Sequence, residues 1–208
     1  MKIRNLMTIY LFLVVFTITS KADSYLPSFL VNTGVSLEVD SPGTLNDFWS
    51  EGFSIGAGVR LPFSISREYN QFRFNLNYNY FPFDNDATFP IGSFYENRSI
   101  NLTGKSVHVI TAIIDNRTSF FGSSKIVIPY ISLGFGFLGR SKTEMRSDSI
   151  FLPVLETGYK GAGLFAMSVG GEFKFIHKLI ITLEIKYIQS NTRPGKTAFA
   201  PIVMGITF

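Results

Sequence analysis

The chain has 208 residues, 46% hydrophobic and 15% aromatic, with 22 phenylalanines and no cysteine. Without cysteine there is no disulfide framework, thiolate metal site or lipid-anchored cysteine, and so much phenylalanine exceeds what the core of a soluble domain of this size absorbs. The net charge of +4 comes from 19 basic and 15 acidic residues; Lys2, Arg4 and Lys21 precede the first acidic residue, Asp23, which leaves 16 against 15 and no indication of a nucleic-acid partner.

Lys2 and Arg4 lead into an apolar run from Leu6 to Ile18, broken only by Thr8 and Thr17 and followed by Ser20, Lys21 and Ala22. A positive end, a short apolar middle and small residues at the end make a secretory leader, with cleavage expected after Ala22. The run is shorter than the roughly 18 to 20 residues a membrane-spanning helix needs. Residues 1–22 are therefore expected to be a signal peptide and residues 23–208 a single exported domain.

Beyond the leader no segment is apolar enough, for long enough, to form a transmembrane helix. The apolar residues instead alternate with polar ones, the period at which side chains point to opposite faces of a strand. In the first of eight such segments Phe29, Val31, Val35, Leu37 and Val39 oppose Asn32, Gly34, Ser36, Glu38 and Asp40. The second sets Phe53, Ile55, Ala57, Val59, Leu61 and Phe63 against Ser54, Gly56, Gly58 and Arg60. The third is the clearest, with Phe72, Phe74, Leu76, Tyr78 and Tyr80 on one face and Arg73, Asn75, Asn77 and Asn79 on the other.

The fourth segment, Lys105 to Ile114, alternates weakly, and its reading places Ser106 and His108 on the interior face. The fifth has Ile131, Leu133, Phe135 and Phe137 outward and Tyr130, Ser132, Gly134, Gly136 and Arg140 inward. The sixth has Phe165, Met167, Val169, Phe173 and Phe175 outward and Ser168, Gly170, Glu172 and Lys174 inward. The seventh sets Leu179, Ile181, Leu183, Ile185 and Tyr187 against Thr182, Glu184 and Lys186. The eighth carries Ile202, Met204, Ile206 and Phe208 outward. Each segment is long enough to cross the hydrocarbon when tilted.

The links alternate in length. Short ones fall at Ser64 to Asn70, Asn116 to Ser124 and Ile176 to Lys178; longer ones at Ser41 to Asp47, Pro82 to Thr103, Ser141 to Tyr159 and Gln189 to Thr197. The expected fold is all-β: an eight-stranded antiparallel up-and-down transmembrane β-barrel with its long loops outside. A soluble lipocalin-like barrel has the same period, but its small lumen could not hold the aromatic set, so the polar face belongs inside. Aromatics near segment ends, among them Phe29, Phe53, Phe63, Phe72, Tyr80, Tyr159, Phe175, Tyr187 and Phe208, suit interfacial girdles.

Inside, charges of opposite sign occur in similar number. Glu38, Asp40, Glu172 and Glu184, with Arg60, Arg73, Arg140, Lys174 and Lys186, are the candidates for a lumen ion-pair network, either a gate in a narrow pore or a plug. No cluster of His, Asp and Glu has metal-ligand spacing and no cofactor is implied; His177 reads as a turn residue, and Asp84 and Asp86 as a solvated loop. The glycosylation tripeptides at Asn97, Asn101 and Asn116 read as chance. The longest loops carry Phe83, Phe89, Phe94, Tyr95, Phe151 and Leu152, apolar groups suited to packing on each other or on an external ligand.

The ending Ile202-Val203-Met204-Gly205-Ile206-Thr207-Phe208 resembles the carboxy-terminal assembly signal of bacterial outer-membrane proteins, which implies delivery to the barrel-insertion machinery. Strand count and size over the whole mature chain resemble small outer-membrane barrels of the OmpA/OmpX type. That resemblance implies an outer-membrane location, contact with membrane lipid and lipopolysaccharide, and a monomer. The functions it leaves open are a structural, adhesive or partner-binding role through the outer loops, a narrow channel for small or hydrophobic solutes, and a lipid A-modifying hydrolase. For the last, Ser106 and His108 resemble the deacylase family's His-x-Ser only in reversed order and on an early strand, so a non-enzymatic chain is expected.

Overall fold

In the computed structural model the described residues are 28–39, 49–61, 70–84, 88–93, 96–121, 126–147, 155–176, 179–191 and 197–208. The expected leader lies outside them, as do Asp40, Phe63, Asp86, Phe94, Tyr95, Phe151, Leu152 and His177. Among the described residues twelve strands form: β1 (Ser28–Glu38), β2 (Gly52–Arg60), β3 (Asn70–Phe81), β4 (Thr88–Ser93), β5 (Glu96–Gly104), β6 (Val107–Ser119), β7 (Val127–Arg140), β8 (Thr143–Ser147), β9 (Leu155–Thr157), β10 (Lys160–Ile176), β11 (Leu179–Ser190) and β12 (Thr197–Thr207).

Eight of these, β1, β2, β3, β6, β7, β10, β11 and β12, pair antiparallel in chain order, and β12 returns to β1 to close a barrel. The seam runs in register from Leu30 opposite Thr207 to Glu38 opposite Phe199, and Phe29 and Phe208 exchange backbone hydrogen bonds of 3.0 Å at its end. Closure satisfies every edge, the condition for strands to cross hydrocarbon. The alternation is displayed as expected: Phe74, Leu76, Leu183, Ile185, Ile202, Met204, Ile206 and Phe208 are exposed, while Arg73, Asn75, Asn77, Asn79, Thr182 and Glu184 are buried in the lumen.

The lumen is not polar throughout, contrary to expectation. Its half toward the short links holds the ion-paired residues, Arg140 lying apart at the other end. In the half toward the long links Phe81, Val107, Val109, Ile113, Leu138, Leu164, Ile188 and Phe199 point inward and pack with Trp49 and Phe83 into one apolar cluster, Phe81 and Phe199 meeting edge-on at 5.5 Å. A small barrel fills its interior with side chains, and apolar ones serve as well as charged ones provided no backbone polar group loses its partner.

The remaining four strands form a second sheet in the order β4, β5, β8, β9, built from the two longest loops. β5 joins β8 through Leu102 opposite Ser147, Thr103 opposite Arg146 and Gly104 opposite Met145. Trp49 and Ser50, just before β2, are tied in as well: Trp49 bridges to Phe83, Ser50 N donates to Pro82 O at 3.0 Å, and Trp49 Nε1 donates to Lys105 O at 3.0 Å.

Candidate functional site

Two places gather chemistry: the charged half of the lumen and a hollow on the outer rim. In the lumen the pleat of six strands delivers the cluster. Arg73 on β3, 1% exposed, donates from Nε to Asp115 on β6 at 2.7 Å and from its two terminal nitrogens to Glu184 on β11 at 3.0 and 3.3 Å. Asn75 donates to the second oxygen of Asp115 at 2.7 Å, and Ser168 to Glu184 at 2.5 Å. Glu172 on β10 pairs with both Arg60 on β2 and Arg117 on β6. The two groups are joined by the Tyr130 ring, which takes the Arg117 guanidinium at 4.2 Å and that of Arg73 at 5.3 Å. Charge-assisted bonds of this kind hold because every carboxylate has at least one guanidinium partner.

The residues expected to form the network are distributed as follows. Arg60, Arg73, Glu172 and Glu184 are buried ion-pair members, and Lys186 lies 3.8 Å from Glu184. Arg140 stands at the opposite end, beside Thr197 at 3.4 Å. Lys174 is half-buried near the end of β10, and Glu38 pairs through its backbone with Phe199, its side chain lying outside the described residues. Asp115, Arg117 and Tyr130 were not among the expected ion-pair residues. Asp115 follows the fourth segment and Arg117 lies in the expected short link Asn116 to Ser124, whereas β6 continues to Ser119.

The rim hollow corrects the reading of the fourth segment. His108 is on the outer face and exposed, not in the lumen; Val107 and Val109 point inward in its place. His108 Nδ1 bonds the Tyr78 hydroxyl at 2.6 Å, and the Ser106 hydroxyl bonds that of Tyr80 at 2.9 Å, so each is engaged by a tyrosine. Nearby, Lys105 and Arg146, both exposed, pair with the half-buried Glu144. The hydrogen-bonding Lys105 ammonium, helped by Arg146, holds the Glu144 carboxyl below the usual carboxylate range. The described residues include no group of three His, Asp or Glu placed to hold a metal ion.

Two solved structures share this architecture. The crystal structure of Neisserial surface protein A matches with a TM-score of 0.51 at 11% identity, covering 87% of this chain and 95% of that one. The crystal structure of the outer membrane protein OprG from Pseudomonas aeruginosa matches with a TM-score of 0.52 at 11% identity, with the same coverage of 87% and 95%. No family model and no curated protein matches the sequence. At this identity the likeness establishes the fold alone: a small closed barrel of eight antiparallel strands.

Proposed function

We propose that the chain is an integral outer-membrane barrel that does not conduct and acts from its exterior, the sheet on its outer loops being a platform presented to an external partner. The observation that supports this is the filling of the lumen by side chains, ion-paired ones in one half and the Phe81–Phe199 cluster in the other. The ion-pair residues are then a plug and not a gate, because an apolar layer stands above them in series. Export by cleavage after Ala22, insertion directed by Ile202, Met204, Ile206 and Phe208, and a non-enzymatic role belong to the same reading. Engagement of Ser106 and His108 by separate tyrosines supports the last.

Planar-bilayer recording with the mature chain tests the proposal: no stepwise current is expected from it or from Arg73→Ala. Steady unitary currents from the unaltered chain would overturn it in favour of the narrow channel. Replacing Thr88–Asn101 by a short turn is expected to leave the heat-dependent gel mobility of a closed barrel and to remove the attachment that the intact chain confers on cells.

A further inference from the structure

Where the outer face of β3 and β6 meets the second sheet, the rim hollow has a volume of about 770 Å³. That is within the roughly 300 to 1,000 Å³ of small-molecule sites and far more than one inorganic anion fills. Its walls carry Lys105, Lys142, His108 and the hydroxyls of Ser106 and Ser141. An adjoining hollow shares Gly104, Lys105 and Glu144 with it and adds Arg146. Lys105, Lys142 and Arg146 thus lie around Glu144, which pairs with Lys105 and Arg146, and Glu156 stands opposite Glu144 in the β8–β9 ladder, so the cations outnumber the carboxylates by one.

The walls are held by backbone bonds. Lys105 N donates to Glu144 O at 3.0 Å, Ser141 N to His108 O at 2.9 Å, and His108 N to Ser141 Oγ at 3.0 Å. Directly below, on the same outer face, lie Ile110, Leu76 and Phe137, the last 74% exposed, Ile110 standing opposite Tyr78 in the ladder. Cations and hydroxyls above a continuous apolar strip reproduce the layout of an amphiphile with an anionic head. A solute from the water phase would have no use for that strip.

We infer that this hollow binds the phosphorylated headgroup of a lipid in the leaflet at the long-loop end, with its acyl chains lying along the outer face of β3, β6 and β7. The inference rests on the membrane reading above. Lysine amines act as point charges on phosphate, and the Ser106 hydroxyl and the His108 ring, each held by one bond to a tyrosine, line the same wall. Because both lysines are on the surface and the site is wet, binding weakens with salt.

The test uses the mature chain folded into phosphatidylcholine vesicles, its heat-dependent gel shift confirmed. Retention of a fluorescent diphosphorylated glycolipid is compared with that of its dephosphorylated counterpart, with inorganic phosphate as competitor. Preference for the phosphorylated form is expected, with a loss of about tenfold for the Lys105→Gln, Lys142→Gln double variant. Lys142→Glu alone, in a connection outside every strand, should weaken retention in the same direction. Equal retention of both glycolipids, or a double variant equal to the parent, overturns the inference while leaving the barrel intact. Displacement by inorganic phosphate at comparable concentration overturns the lipid source. Failure of the parent to show a gel shift takes down the membrane reading itself.

Discussion

Arg73 is the residue whose removal tests the lumen most severely. Arg73→Ala would strip the guanidinium from Asp115 and Glu184 together, leaving two carboxylates, both nearly inaccessible to water, with hydrogen bonds only from Asn75 and Ser168 and a distant Lys186. Breaking a buried pair in this way costs about 3 to 5 kcal/mol, since the charge left behind has lost both its water and its partner. Loss of the cation over the Tyr130 ring adds to the same defect and is not separately additive. The triple variant Arg73→Met, Asp115→Asn, Glu184→Gln removes the stranded carboxylates, while the Asn75 and Ser168 donors keep an amide oxygen to bond; because the buried Lys186 then lacks its carboxylate, it should regain only part of the loss. Guanidinium unfolding from vesicles, followed by gel mobility and by the single tryptophan, Trp49, measures both. A single variant within about 1 kcal/mol of the parent, or a triple variant weaker than the single, refutes the account of the lumen.

In the apolar half, Phe199→Ala leaves a hole against Phe81 and should cost about 3 to 5 kcal/mol in the same assay; an unchanged midpoint would show the cluster is not packed. A methyl group at Gly136 would fall 1.8 Å from the Ala112 carbonyl oxygen, whereas at Gly139 nothing lies within 4 Å, so Gly136→Ala should destabilise by about 1 to 3 kcal/mol and Gly139→Ala should not. Trp49, 3% exposed, should emit at short wavelength and resist iodide quenching, and lose both properties if the loop sheet is undone. The Glu144 carboxyl has its folded-state pKa depressed, so its pairing with Lys105 is complete above the unfolded value and is lost as pH falls through the folded one. Carbon-13 titration of Glu144 should accordingly show a midpoint below the ordinary carboxylate range that rises in Lys105→Gln; a midpoint insensitive to that change would remove Lys105 as the cause.

The wall was legible in the sequence because lipid imposes one rule on every strand: Phe74, Leu76, Leu183 and Ile185 could face only hydrocarbon once Asn75, Asn77 and Glu184 faced the axis. β6 escaped because both its faces are apolar near the long loops, Val107, Val109 and Ile113 inward and Ile110 and Ile114 outward. Its register is set by Asp115 and Arg117, which meet partners on β3 and β10 that no local pattern reveals. The same two-sided greasiness concealed the apolar half of the lumen. The strands β4, β5, β8 and β9 lie outside the closed barrel, so its inside–outside rule gives them no alternation to display, and β5 pairs with β8 across about forty intervening residues. The rim hollow depends on the direction of His108 and could not be read while that register was open.

The second sheet is rooted in a ring of eight strands whose hydrogen bonds run across the strand direction. A pull on the loops by anything attached to them is therefore delivered lengthwise to the ring, which loads those bonds together in shear and offers no free edge from which to peel them one at a time. The foundation resists force in the direction from which an attached surface would apply it.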